Sequence, residues 1–218
     1  MELSRLSEEQ KGNAKMVRDS GMRLGRMLDQ ATIFAGLGDG ERLAKKLEHD
    51  LKSAVEDVLE HHRSKSPAFA SRLSLSWQSH ENFLVSMDAS LFDVLLSNLI
   101  DNALAHSHHD IDVCVTPLMR PKNTVLVMIE IADEGPGIPE EDQERIFESF
   151  EKLETLGQSE MEGIGLGLSI SRHMVEEMGG EIGVVSRPNG GANFWVAISM
   201  PCINRQQRET APAIAGAA

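Results

Sequence analysis

No stretch of the chain approaches the run of about 18 apolar residues that a membrane-crossing helix needs. Nothing in these 218 residues therefore crosses a bilayer as a helix. The start, MELSRLSEEQ, holds no apolar signal core. Cysteine is scarce: Cys114 and Cys202 are the only two, and they form no CxxC pair. Two isolated thiols fit a reducing, cytoplasmic compartment better than a disulfide scaffold. Positive charge is short as well, with 21 Lys and Arg against 34 Asp and Glu and a net charge of −13. That balance disfavours nonspecific binding to nucleic acid or to anionic membranes, which both present phosphate. It leaves room for a local basic patch or a nucleotide held through magnesium. The eight histidines show no metal-ligand spacing, and the cluster His106, His108 and His109 reads as the solvated end of a helix. Hydrophobic content of 41% and charged content of 25% are ordinary for a globular chain, long enough for one sizeable domain and an appendage.

Residues 1–36 read as one helix. Leu3, Leu6, Gln10, Asn13, Val17, Gly21, Leu24, Leu28, Ala31 and Ala35 recur in steps of three and four, a heptad seam with a polar or small middle. Gly36, Gly38 and Gly40 break it. Such a seam prefers another helix to a sheet, which predicts a helix bundle between chains. A second helical pattern follows in Leu43, Leu47, Leu51, Val55 and Val58, ending near Ser64-Lys-Ser-Pro67. These divisions give a helix over 1–40, a connecting helix over 41–66, a main domain over 67–202 and a small, polar tail over 203–218 that reads as disordered.

Within the main domain, strands are predicted at 72–77, 83–87, 111–117, 124–132, 181–186 and 193–199 from alternating apolar residues. A helix capped by Asp88 or Ser90 runs to about His106. A short helix spans Arg145–Leu153 and a longer one Leu166–Met178. The expected fold is α+β, a two-layer sandwich of a mixed sheet with helices on one face, preceded by the long N-terminal helix.

Four motifs stand in order: Asn98-Leu-Ile-Asp-Asn102, Asp133-Glu-Gly-Pro-Gly137, Ile146-Phe-Glu-Ser-Phe150 and Gly163-Ile-Gly-Leu-Gly167. Asn98 and Asn102 are four residues apart, so they share a helix face. An asparagine carbonyl is a hard oxygen ligand suited to Mg²⁺. A carboxylate at Asp133, ending a strand, can accept the exocyclic amine of adenine, while Gly135 and Gly137 let backbone approach a base. Gly163, Gly165 and Gly167 precede a helix, and freed amides at a helix start cradle phosphate.

Together the four resemble the N, G1, F and G2 boxes of the ATP-binding domain of sensor histidine kinases, within the superfamily of gyrase, heat-shock chaperone and mismatch-repair ATPases. The resemblance covers roughly residues 72–201, with a fainter one over 14–41 to the second helix of a dimerisation domain. It implies a Bergerat-type ATP-binding fold, ATP and Mg²⁺ as cofactors, and Asn102 as metal ligand. It implies Asn98, Asn102 and Lys152 as catalytic residues. It places Asn102, His106, Asp133, Gly135, Gly137, Ile138, Gly163, Gly165, Leu166, Gly167 and Leu168 around the nucleotide. Residues 152–162 would be a lid, with Phe147 and Phe150 packing its base. The implied function is phosphoryl transfer from ATP to a histidine absent from this chain, in a two-component system. The implied partners are a histidine-bearing dimerisation domain, a response regulator and a second copy through the N-terminal helix.

Position 98 discriminates among the branches. Gyrase-like and chaperone-like members resemble one another in carrying Glu there, which activates water. Asn98 cannot take a proton, and Asp101 points about 100° away on the helix. Two departures matter. Histidine kinases often show Lys or Arg where this chain has Ala105. No histidine lies in the context His-Glu-x-Arg-x-Pro. A nucleotide-binding regulatory module, or a serine kinase of the anti-sigma type sharing the fold, therefore stand as alternatives.

Overall fold

A computed structural model of the chain describes residues 10, 12–14, 17, 21, 25, 47–151, 165–187 and 190–203. The described part of the N-terminal segment, from Gln10 to Gly25, is helical and exposed at every described position, Val17 at 74%. The rest of the predicted seam helix lies outside the described residues, as does the tail from 204.

The main body runs β1 (Leu47–Asp50), α1 (Leu51–Lys65), α2 (Pro67–Ala70), β2 (Leu73–Trp77), β3 (Leu84–Met87), α3 (Ala89–His106), β4 (Ile111–Arg120), β5 (Thr124–Ala132), α4 (Gly167–Glu177), β6 (Glu181–Ser186) and β7 (Ala192–Pro201). Two single 3-10 turns, Glu140–Asp142 and Arg145–Phe147, lie between β5 and α4. The large sheet has the order β2-β4-β5-β7-β6. β2 and β4 are parallel and the other pairs antiparallel, so the sheet is mixed.

Alternation decides the layers. Val125, Val127, Ile129 and Ile131 of β5 are buried, and their neighbours on the same strand are only half-buried. In register, Ile129 sits opposite Val115 on one side and Val196 on the other. That is the pattern of a sheet covered on one face. The cover is the apolar side of α1 (Leu51, Val55, Val58, Leu59), of α3 (Phe92, Leu95, Leu99, Ala103) and of α4 (Ile170, Met174, Val175). Asp88 starts α3 by accepting the amides of Ser90 and Leu91 at 3.0 and 3.2 Å, which sets where the N-box helix begins.

Two local expectations are corrected. Of the helix expected through Leu43 and Leu47, Leu43 lies outside the described residues, Leu47 is in a strand, and the described helix begins only at Leu51. Asp50 caps it by accepting Ser53 N at 2.9 Å, and Leu47 pairs with Met87 in a separate two-stranded sheet. The pairing satisfies backbone groups that a helix would have used internally. The hydrophobic core runs unbroken from α1 into the large sheet across residue 66. The helix expected over Arg145–Leu153 is one 3-10 turn, because Glu148 is extended and Phe150 takes φ 69°. Phe147 is buried, with the Arg172 guanidinium 4.6 Å from its ring centroid, and Phe150 is exposed; the lid whose base they were expected to pack lies outside the described residues.

Candidate functional site

The site forms where three pieces of chain meet over the C-terminal half of α3. Asn98, Asn102 and His106 fall one turn apart along that helix, beside the core-facing Leu95, Leu99 and Ala103. The Asn98 amide donates to Gly167 O at 3.4 Å, which joins the first motif to the last. Gly167 O also accepts Ser171 Oγ at 2.9 Å.

Asp133 follows the end of β5 and is 3% exposed. Its Oδ1 accepts Gly135 N at 2.7 Å and Ala192 N at 3.3 Å. Its own amide donates to Ala192 O at 2.9 Å, and Arg187 donates to its carbonyl at 3.3 Å. The carboxylate is thus fixed by its own loop and by the start of β7. Its Oδ2 takes no hydrogen bond from the described residues. The loop then crosses the end of α3 so closely that a Cβ on Gly135 would lie 2.7 Å from His106 O. Gly137 takes φ 76°, open to glycine at little cost. Ile138 is buried and its amide donates to Ser186 Oγ at 2.8 Å, which pins the loop to β6.

At the third piece, Gly165 has φ 78° and accepts Phe150 N at 2.9 Å. No side chain caps α4, whose N-cap is Leu166. Its first amides are therefore free for an anion, and the helix dipole favours one. Leu166 is buried and Leu168 half-buried on the core side. Lys152, Gly163 and the lid segment between them lie outside the described residues.

Burial lowers the pKa of His106 from its ordinary value, with the Asp133 carboxylate pulling partly the other way. A histidine lowered on folding takes its proton first in the unfolded chain. Stability is therefore intact above the ordinary value of about 6.5 and falls as pH drops below it. His106→Gln is expected to flatten the decline in melting temperature between pH 7 and pH 5 relative to wild type. Parallel pH profiles for the two proteins would refute it.

Sequence reasoning missed Arg187, Ser186 and Ala192. Arg187 and Asp133 are 54 residues apart, and no local pattern links them. Asp101, set aside as pointing away, does point away: its Oδ1 lies 3.2 Å from His62 Nε2 on α1.

Residues 87–201 match the family described as histidine kinase-, DNA gyrase B- and HSP90-like ATPases. The chain belongs to that family. Among ATPases of this kind, it is 32% identical over 197 residues to sensor histidine kinase AruS of Pseudomonas aeruginosa, covering 89% of this chain and 20% of that protein. It is 32% identical over 184 residues to sensor-like histidine kinase SenX3 of Mycolicibacterium smegmatis, covering 84% of this chain and 46% of that one. The chain thus spans less than half of either relative. Full-length ShkA, solved in complex with AMPPNP, superimposes with a TM-score of 0.68 at 25% identity, over 92% of this chain and 40% of that one. The mixed sheet and the ATP-binding domain of the sensor histidine kinases are therefore established. No described helix is long and apolar enough to cross a membrane.

Proposed function

We propose that this chain binds ATP with magnesium and is the catalytic domain of a protein histidine kinase. The γ-phosphoryl passes to a histidine outside the eight in this sequence, none of which has an H-box context. The observation that carries the reading is Asp133: a buried carboxylate with one oxygen held by two amides and the other left to accept the amine of adenine. Phosphates would extend from there towards the uncapped start of α4. Asn98, tied to Gly167, would hold the phosphate side.

The donor set suits magnesium. Among the described residues no group of three or more His, Cys, Asp or Glu could hold a metal. Asn102 would offer one hard oxygen ligand to the ion, the remaining ligands being left to phosphate and water. When bound, the ion neutralises charge on the phosphates. Asn98 has no basic group with which to activate water, which favours transfer to a side chain over hydrolysis. The nucleotide unit in this reading is residues 47–203, and residues 1–40 belong to a dimerisation region. A response regulator and a cytoplasmic setting follow from the two-component role. Ala105, where a cation is often found, favours the second reading, a regulatory module that binds nucleotide without transfer.

With γ-labelled ATP, the isolated chain is expected not to label itself and to label a supplied helical hairpin containing an H box. The label should be acid-labile and base-stable, and Asn102→Ala should abolish it. Acid-labile label on residues 1–218 alone would sink the proposal. Nucleotide binding with no transfer to any hairpin would support the regulatory reading.

The exposed seam residues Gln10, Asn13, Val17 and Gly21 suit a second copy of the chain. Sedimentation at several concentrations should show a dimer that Leu24→Glu with Leu28→Glu abolishes, with ATP binding kept. A strict monomer for the unmodified chain would exclude this partner.

A further inference from the structure

Among the described residues, two titratable side chains are buried: Asp133, which the nucleotide site explains, and His62, which it does not. His62 is 0% exposed and continues the apolar row Leu51, Val55, Val58 of α1. Burying a polar ring costs free energy unless its nitrogens find partners. Both do. Nδ1 lies 2.9 Å from Val58 O, and a carbonyl only accepts, so Nδ1–H donates and orients the ring. Nε2 faces Asp101 Oδ1 at 3.2 Å, across from α1 to α3, and since a carboxylate oxygen only accepts, that bond is donated by Nε2–H.

Asp101 sits three residues after Asn98 and one before Asn102. The apolar contacts of α3 are non-directional and leave the helix free to roll slightly. A hydrogen bond to a rigid, buried ring does not. Three residues away on the same side of the helix, the Asn98 amide reaches Gly167 O. The same turn of α3 thus carries two polar ties, one to α1 and one to the start of α4. We infer that His62 is a positioning residue for the phosphate and metal side of the nucleotide site, acting through Asp101 to set the rotation of the helix that carries Asn98 and Asn102. The inference rests on the reading of Asn102 given above. Groups that orient a ligating residue commonly contribute about 10- to 100-fold to metal affinity or activity. A misplacement of about 1 Å has a comparable effect.

The test is calorimetric titration of the full 218-residue chain with ATP and magnesium, and separately with adenosine. Asp101→Ala is expected to weaken Mg-ATP roughly 10-fold and to leave adenosine at the wild-type level, because Asp133 is untouched. Asp101→Asn should keep Mg-ATP affinity, since its side-chain carbonyl can still accept from Nε2–H. His62→Leu should match Asp101→Ala, and the double variant should be no worse than either. Wild-type Mg-ATP affinity in Asp101→Ala would overturn the inference. So would an equal loss for adenosine, which means general loosening, or an Asp101→Asn as weak as Asp101→Ala. Should His62→Leu fail to fold, the Asp101 pair decides, because that side chain is 41% exposed. Asn102→Ala is the control. If it binds Mg-ATP normally, the site reading fails and takes this inference with it. If it loses affinity while Asp101→Ala does not, this inference alone falls.

Discussion

Asp133→Asn is expected to weaken ATP far more than GTP. The wild-type side chain spends Oδ1 on the amides of Gly135 and Ala192, which leaves Oδ2 as the acceptor for an amine. Asparagine can keep the first role only by turning its NH₂ towards the base. Donor would then face donor. Guanine offers no amine at that ring position, so GTP has little to lose. A hydrogen bond to a charged group contributes about 1.5–3 kcal/mol, or roughly 10- to 150-fold in affinity. Calorimetry with both nucleotides measures it, and equal losses for the two would remove Asp133 from the adenine site.

Gly191→Ala is expected to damage both the fold and the site. Gly191 has φ 92°, and a Cβ there would sit 2.0 Å from Asp133 O and 2.9 Å from the carbon of that carbonyl. The colliding atoms are backbone, so no rotamer change relieves them. The left-handed conformation alone costs about 1–2 kcal/mol, and parting β5 from the start of β7 brings the total to roughly 2–4 kcal/mol. The same displacement would drag Ala192 N off the Asp133 carboxylate, so ATP affinity should fall with stability. Gly179→Ala is the contrast: φ is 69°, but nothing lies within 4 Å of the added Cβ. It should lose only the backbone term and bind ATP normally. Thermal melting with and without ATP compares them. A Gly191→Ala protein that melts and binds like wild type would show that β7 can yield.

Much of the fold was legible. The buried row Val125, Val127, Ile129 and Ile131 reads as a strand because a side-chain period of two is a property of neighbouring residues. The start of α3 reads from Asp88 because a cap acts within three residues. The glycines of the second and fourth motifs read as close backbone approaches, and Gly137 and Gly165 take positive φ. Leu47 misled because a spacing of four to Leu51 mimics a helix face. What overrides it is pairing with Met87, 40 positions away in the chain.

The sequence by itself determined most of the elements and which residue types stand at the site proposed for the nucleotide. It could do so because caps, periods and glycine-rich turns act over one or two turns of chain. Only the tertiary structure decided what holds those residues in place. Arg187 reaches Asp133 across 54 residues, and His62 reaches Asp101 across 39. Those partners depend on how the helices settle on the sheet, a balance of many small packing contacts summed over the whole core and visible in no single stretch of chain.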